Sequence, residues 1–476
     1  MLRSKSLFAG VAAAAIALSG ASYAAPVVWG GGSTLAGPYY QTVFALLNAA
    51  TPTATFGATG ATLNPVDPTN SQLGYAELGS GTGRSQFETN VPNTSHSGNL
   101  EVAGDDIAYG ASDAFISASD LTAYAPLEPT DGPMIQVPTL GVPVTVAYDF
   151  TPNLKAGKTS PFAATLKMTD ADLCKIYSDP NPTWLDVASV DKVYLANKAL
   201  FQAVPFGPLS VVVRSDSSGT TFLFTQHLAA VCPSSTSSSA WNWAGTNSGA
   251  GGAISTWPAD GTTASAPFTG TTPNFVGENG NGGEAIFMTT GGTAGAAPAN
   301  AIAYISPDYT SIAPKSGHST SLPVASLVNA TNGTAYQPSA ANTSLGLTNP
   351  GSSATHLGAP STFATAEVQT NWVPSIATPT EGYPIVGYTN MIFAQCYANN
   401  NVATELRTFL KDQYNGTYAT QIANAGFVAV PKAFVTEIDR TFITNTNAYS
   451  PSLTMQAATV CKHATGATSK ASFIGR

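Results

Sequence analysis

Charge is the property this sequence has least of. Its 476 residues include 18 Lys and Arg and 27 Asp and Glu, so 9% are charged and the net charge is −9, whereas soluble domains carry roughly 25%. A surface so poor in charge must be built from Ser, Thr, Asn, Gly and Ala. Eighteen scattered cations on an acidic chain cannot form the basic footprint that nucleic-acid binding requires, nor a polybasic patch for a membrane surface. Histidine and cysteine are scarce too. The five His and four Cys fall at no metal-ligand spacing, so no metal and no cofactor are expected. After the first residues no apolar run is long enough to span a bilayer. Disorder is disfavoured in turn, because 43% hydrophobic content can bury a core. The length fits two or three domains, or one two-lobed body with insertions.

The N-terminus carries an export signal. Arg3 and Lys5 precede an apolar run from Leu7 to Leu18, and Ser22-Tyr23-Ala24 supplies a small-x-small cleavage site before Ala25. No Cys follows the run, so no lipid anchor is expected and the mature chain should be periplasmic or secreted. Cys174, Cys232, Cys396 and Cys461 would then meet an oxidising compartment. Two disulfides are expected, and sequence alone leaves three pairings open.

Along the chain, β-branched runs alternate with turns and helical patterns, which is the signature of α/β lobes. Val137–Tyr148 and Leu209–Val213 read as strands; Pro38–Asn48, Thr221–Val231 and Val402–Tyr414 read as helices. Between them lie polar, turn-rich segments, chiefly Pro233–Gly283 and Ser311–Gly382. Trp241, Trp243, Trp257 and Trp372 punctuate them and need something to pack against, so ordered insertions are expected rather than linkers.

Four short motifs place backbone N–H groups and hydroxyls at a turn. Gly30-Gly31-Gly32-Ser33-Thr34-Leu35 leads through Ala36-Gly37-Pro38 into a helix. Gly79-Ser80-Gly81-Thr82-Gly83 is a second such turn, and Tyr109-Gly110-Ala111-Ser112-Asp113 ends in a carboxylate. The fourth, Val213-Arg214-Ser215-Asp216-Ser217-Ser218-Gly219-Thr220, runs from a strand into a helix. There Arg214 offers a planar fork for an oxyanion, Asp216 is placed to fix it, and Ser218, Gly219 and Thr220 cap the helix while presenting further donors. None of the four is a nucleotide signature.

In order and spacing these motifs resemble the phosphate-binding proteins that serve bacterial phosphate ABC transporters. That family opens on a glycine-rich Thr-containing turn, continues with a Gly-Ser-Ser-Gly turn, Phe-Gly-Ala-Ser-Asp and Ile-Pro-Thr, and then carries Arg-x-Asp-[Gly/Ser]-Ser-Gly-Thr. The counterparts here are Gly30–Pro38, Gly79–Gly83, Tyr109–Asp113, Val137–Thr139 and Arg214–Phe222, followed by Trp257-Pro258, Gly280–Gly283 and Ala301–Tyr304. The likeness weakens in the insertions, roughly Arg84–Glu101 and Ser311–Gly382.

The resemblance implies an α/β, two-lobed fold of the type II periplasmic-binding-protein kind, with mixed sheets, flanking helices and a ligand cleft between lobes. Residues 1–24 would be the signal, 25–148 with 384–476 lobe one, and 149–383 lobe two. It implies pairing of Cys174 with Cys232 and of Cys396 with Cys461, each within one lobe. It places phosphate contacts on Thr34, Leu35, Ser80, Asp113, Arg214, Ser218, Gly219 and Thr220, with Asp216 in support and no catalytic residue. A carboxylate facing an anion repels it unless the anion carries a proton to donate, so Asp113 would separate monohydrogen phosphate from sulfate. The implied protein is a monomeric, non-enzymatic binder that hands phosphate to the permease subunits of an ABC importer. A secreted phosphatase on the same fold and a binder of arsenate are the alternatives.

Overall fold

The run Val28–Gly32 ends in three glycines, and two neighbouring strands close in on either side of it. The structure, a computed structural model, describes residues 28–50, 73–91, 107–149, 166–179, 182–183, 209–232, 243, 253–257, 274–291, 298, 300–314, 321–352, 354–356, 358–360, 362–366, 368–397, 400–444 and 455–457. In chain order its principal strands are β1 (Val28–Gly32), β2 (Leu73–Glu77), β3 (Ile107–Ser112), β4 (Met134–Pro143), β5 (Thr145–Asp149), β6 (Lys167–Met168), β7 (Ser210–Arg214), β8 (Phe275–Glu278), β9 (Ala301–Ile305), β10 (Ser326–Val328), β11 (Ala335–Tyr336) and β12 (Val386–Ala394). The first sheet runs β2-β1-β3-β12-β4 and the second β5-β9-β7-β8. In the first, β1 pairs in parallel with β2 and β3, and β12 lies antiparallel between β3 and β4. In the second, β7 pairs in parallel with β8 and β9, and β5 is antiparallel to β9. Each sheet is the centre of one α/β lobe.

The stretch Val137–Tyr148, read above as one strand, is two. At Val144 the backbone N–H donates to Ile385 O, and the chain passes from β4 in the first sheet to β5 in the second. The change of lobe therefore falls at Val144 rather than at Tyr148, because Thr145–Asp149 is paired throughout with β9. The chain returns beside this point, where Tyr383 OH donates to Val144 O at 3.0 Å.

A charge-poor core satisfies its polar atoms with hydroxyls and amides. Around β1, Tyr39, Tyr40, Phe44, Tyr75, Tyr109 and Phe409 form one ring cluster. Its phenols, costly to bury unbonded, reach partners inside the lobe: Tyr40 OH meets Thr139 Oγ1, and Tyr75 OH donates to Ser33 O at 2.7 Å. Burial raises the pKa of Tyr40 and Tyr75. Trp243 and Trp257 are buried with ring centroids 5.4 Å apart, and Trp372 packs on Phe442. Trp241 lies outside the described residues.

The 311–382 insertion touches both lobes. Its short strand β10 pairs with β6 and β11. Leu347, on the helix Ala340–Thr348, lies against Gly141 of β4. Residues further on reach the second lobe, where Gln226 Nε2 donates to Ser375 Oγ at 2.8 Å and His227 Nδ1 bonds Ala377 O at 2.8 Å.

Cys174, on the helix Asp170–Ser178, is bonded to Cys232 at the end of the helix Gly219–Val231, with Cα atoms 5.4 Å apart. The other expected bridge ends at Cys461, outside the described residues, as does the 1–24 signal. Cys174–Cys232 closes a loop of 58 residues, for which loop entropy predicts about 4 kcal/mol of stabilisation, with 2–4 the usual measured range. Replacing both Cys by Ser is expected to lower the unfolding free energy in urea by about that amount; an unchanged midpoint would contradict it.

Candidate functional site

Four helices begin at one place between the sheets, at Gly37, Ser80, Gly219 and Gly280. Their first turns leave backbone N–H groups without intrahelical partners, and their dipoles point positive ends at the same spot. Contacts within and across the lobes tie them together. Gly81 N–H donates to Ser217 O at 2.9 Å, Gly280 N–H to Asp216 Oδ1 at 3.1 Å, and Asn281 Nδ2 to Thr34 Oγ1 at 3.0 Å. Gly79 caps the second helix at φ +83, a conformation that favours glycine. Gly219 is needed for a different reason. A Cβ there would stand 2.5 Å from Ser80 Oγ and 2.6 Å from Asp113 Oδ2.

Arg214 is wholly buried at the end of β7. Its Nε donates to Asp216 Oδ1 at 2.7 Å and Nη2 donates to Asp216 Oδ2, so the side edge of the fork is taken up internally. The end edge remains, and Nη1 has no protein partner. Burial works against the charge, but Asp216, together with Glu284 and Tyr304, outweighs it and the Arg214 pKa is raised. Thr220 Oγ1, on the second residue of the adjoining helix, is likewise buried without a partner. Ser218 Oγ accepts from Thr221 N–H at 3.2 Å as the helix cap, which leaves its own hydrogen to be donated.

Asp113, fully buried at the end of β3, accepts from Ser33 Oγ at 2.8 and 2.9 Å and from Thr389 Oγ1 at 2.6 Å. Its N–H reaches Ser80 Oγ at 3.4 Å. Burial raises its pKa from 3.8 to about 6, against the opposing pull of the Thr389 and Ser33 hydrogen bonds and the Arg214 charge.

All nine residues singled out from the sequence stand at this junction or on the turns that form it. Within the first turn, Leu35 N–H donates to Ser33 Oγ at 3.2 Å. Four residues were not singled out. Ser33 orients Asp113 and was visible inside the first motif. Thr389 comes from β12, separated by 276 positions, with no local signal. Asn281 links Thr34 to Ser306 N–H at 3.3 Å, bridging the lobes. Glu284 is fully buried near Arg214 with both carboxyl oxygens unpartnered, and burial pushes its pKa well above the carboxylate range despite the pull of Arg214.

Two α/β lobes meeting over converging helix N-termini define a solute-binding architecture. Residues 41–411 match the PBP superfamily domain, and the chain belongs to that superfamily. It is 32% identical over 376 residues to alkaline phosphatase L of Pseudomonas aeruginosa, covering 78% of this chain and 82% of that protein. It is 30% identical over 389 residues to a phosphate-binding protein from an unknown prokaryotic organism, covering 79% and 89%. Among solved structures, it superposes with a TM-score of 0.60 and 28% identity on PfluDING, a high affinity periplasmic phosphate-binding protein bound with phosphate, covering 89% of this chain and 95% of that one. Among the described residues, no helix is long and apolar enough to cross a membrane.

The raised Asp113 pKa fixes a sign. The folded, ligand-free protein binds a proton more readily than the unfolded chain, so this group's contribution to stability is present below pH 3.8 and is lost as pH rises through about 6. In unfolding titrations without anions, the stability of the wild type minus that of Asp113→Asn is expected to fall by about 3 kcal/mol across that window. A flat difference would contradict the assignment.

Proposed function

We propose that this protein captures inorganic phosphate between its lobes and delivers it to the permease of an ABC importer, as a periplasmic or secreted monomer without a cofactor. The observation that carries the reading is the pairing of opposites in one buried junction. Arg214 Nη1 and Thr220 Oγ1 are donors with no protein partner, and Asp113 is an acceptor set against them. A fully charged anion satisfies the donors and clashes with the carboxylate. Monohydrogen phosphate satisfies both, since its oxygens accept from Arg214, Thr220, Ser218 and the helix N-termini while its P–OH donates to Asp113. Sulfate has no such proton at neutral pH. The similarity to a phosphate-binding protein and to a phosphate-bound structure supports the same ligand. Arsenate, protonated much like phosphate, fits the same rule.

Arg214→Ala is expected to weaken phosphate binding by roughly 10- to 100-fold, the value of a charge-assisted hydrogen bond. Because that change also strands Asp216, Thr220→Val serves as the milder companion and should weaken binding while leaving unfolding cooperative. Asp113→Asn should admit sulfate. In the wild type, sulfate affinity should rise as pH falls through about 6, where Asp113 gains its proton. Calorimetry with both anions checks this, and selectivity that survives both the substitution and the acid pH would remove Asp113 from the role.

A second reading is favoured by the similarity to alkaline phosphatase L. Donors arranged for phosphate also stabilise the charge of a phosphoryl transition state. Pure protein should then turn over a chromogenic phosphate ester, and Arg214→Ala should abolish it. No turnover, or turnover indifferent to Arg214, leaves the binding reading alone.

A further inference from the structure

A cavity of about 560 Å³ lies beside the phosphate cradle, where both lobes and the 311–382 insertion meet. Its lining begins two residues beyond Asp113, at Phe115, and one helical turn beyond Gly219, at Phe222. These rings, one from each lobe, meet edge to face with centroids 5.1 Å apart, and Ala229 continues the wall. The facing wall is a short ladder in the insertion, where Thr355 and Ser375 exchange backbone hydrogen bonds of 3.1 Å. Gln226 Nε2 joins the walls through Ser375 Oγ at 2.8 Å. On the rim, His356 is held at φ +54, in the left-handed region that residues with a Cβ seldom adopt and that recurs at binding sites.

We infer that this cavity is a second binding site, for a small uncharged ring compound bearing a hydroxyl group. The volume is that of a small-molecule pocket, and such pockets pair an apolar wall with a few placed polar groups. Here the two phenylalanines and the alanine face would take the ring. Ser117, Gln226 and Thr370 offer hydrogen bonds to a hydroxyl. Among the described residues, no Asp, Glu, Lys or Arg lines the cavity, so an ion would lose its hydration without gaining a counter-charge from them.

Because the walls belong to both lobes, closure on phosphate completes the cavity. Binding at the two sites is therefore coupled and reciprocal. The coupling rests on the phosphate reading; occupancy of the cavity does not.

The test uses para-fluorophenol, followed by fluorine NMR line broadening on the full-length protein. The wild type should broaden the signal, and saturating phosphate should tighten the binding at least about fivefold. Ala229→Trp, which fills the cavity, should abolish broadening while calorimetric phosphate binding persists. If that variant does not fold, Phe222→Ala and Gln226→Leu should each weaken para-fluorophenol binding. The absence of broadening with the wild type, or broadening indifferent to these substitutions, overturns the site. Affinity for para-fluorophenol that ignores bound phosphate overturns the coupling. Loss of phosphate binding with para-fluorophenol binding intact would instead overturn the phosphate reading and leave the cavity assignment standing.

Discussion

A guanidinium with no access to water must find its partners inside the protein, and the geometry of this molecule follows from how Arg214 finds them. Asp216 takes the side edge of the fork, and the same carboxylate accepts the Gly280 N–H. One ion pair thus fixes the end of β7, the turn after it and the start of another helix. Removing either member would leave a buried charge alone, which costs several kcal/mol in typical proteins, on the order of 3–5. What the pair leaves open matters as much. The end edge of Arg214 stays unpartnered in a junction where four helix N-termini converge.

The surrounding network is built from neutral groups, as a chain with 9% charged residues requires. Ser33 and Thr389 orient Asp113, Asn281 bridges Thr34 to Ser306, and Tyr75 holds Ser33 through its backbone carbonyl. The net charge of −9 consequently says little about the ligand. In the proposed reading an anion is recognised by short-range directed donors, whose fields act over a few ångströms, and bulk charge acts mainly through steering that salt screens.

The site was legible to the extent that its residues are local in sequence. Arg214, Asp216, Ser218, Gly219 and Thr220 sit on one strand-turn-helix, and glycine-rich turns marked Thr34 and Ser80. Thr389 was not legible, because its partner lies 276 positions away and a threonine in a strand carries no motif. The same limit misled the reading of Val137–Tyr148. A continuous β-branched run looks like one strand whether it stays in one sheet or crosses to another, and only the pairing partners, β12 before Val144 and β9 after it, tell them apart. Of the polar segments punctuated by tryptophan, most of Pro233–Gly283 lies outside the described residues. A large buried ring needs neighbours wherever they come from, and Trp257 and Trp372 both have them.

On the proposed reading, an unpaired arginine edge and a buried carboxylate together select a protonated tetrahedral anion. Thermal unfolding of the unmodified protein with phosphate and sulfate at equal concentration, near pH 8, tests it most directly. Phosphate at 100 times its dissociation constant should stabilise the protein by about 2.7 kcal/mol, and sulfate should leave the transition where it is. Equal stabilisation by the two anions, or none by phosphate, would contradict the account.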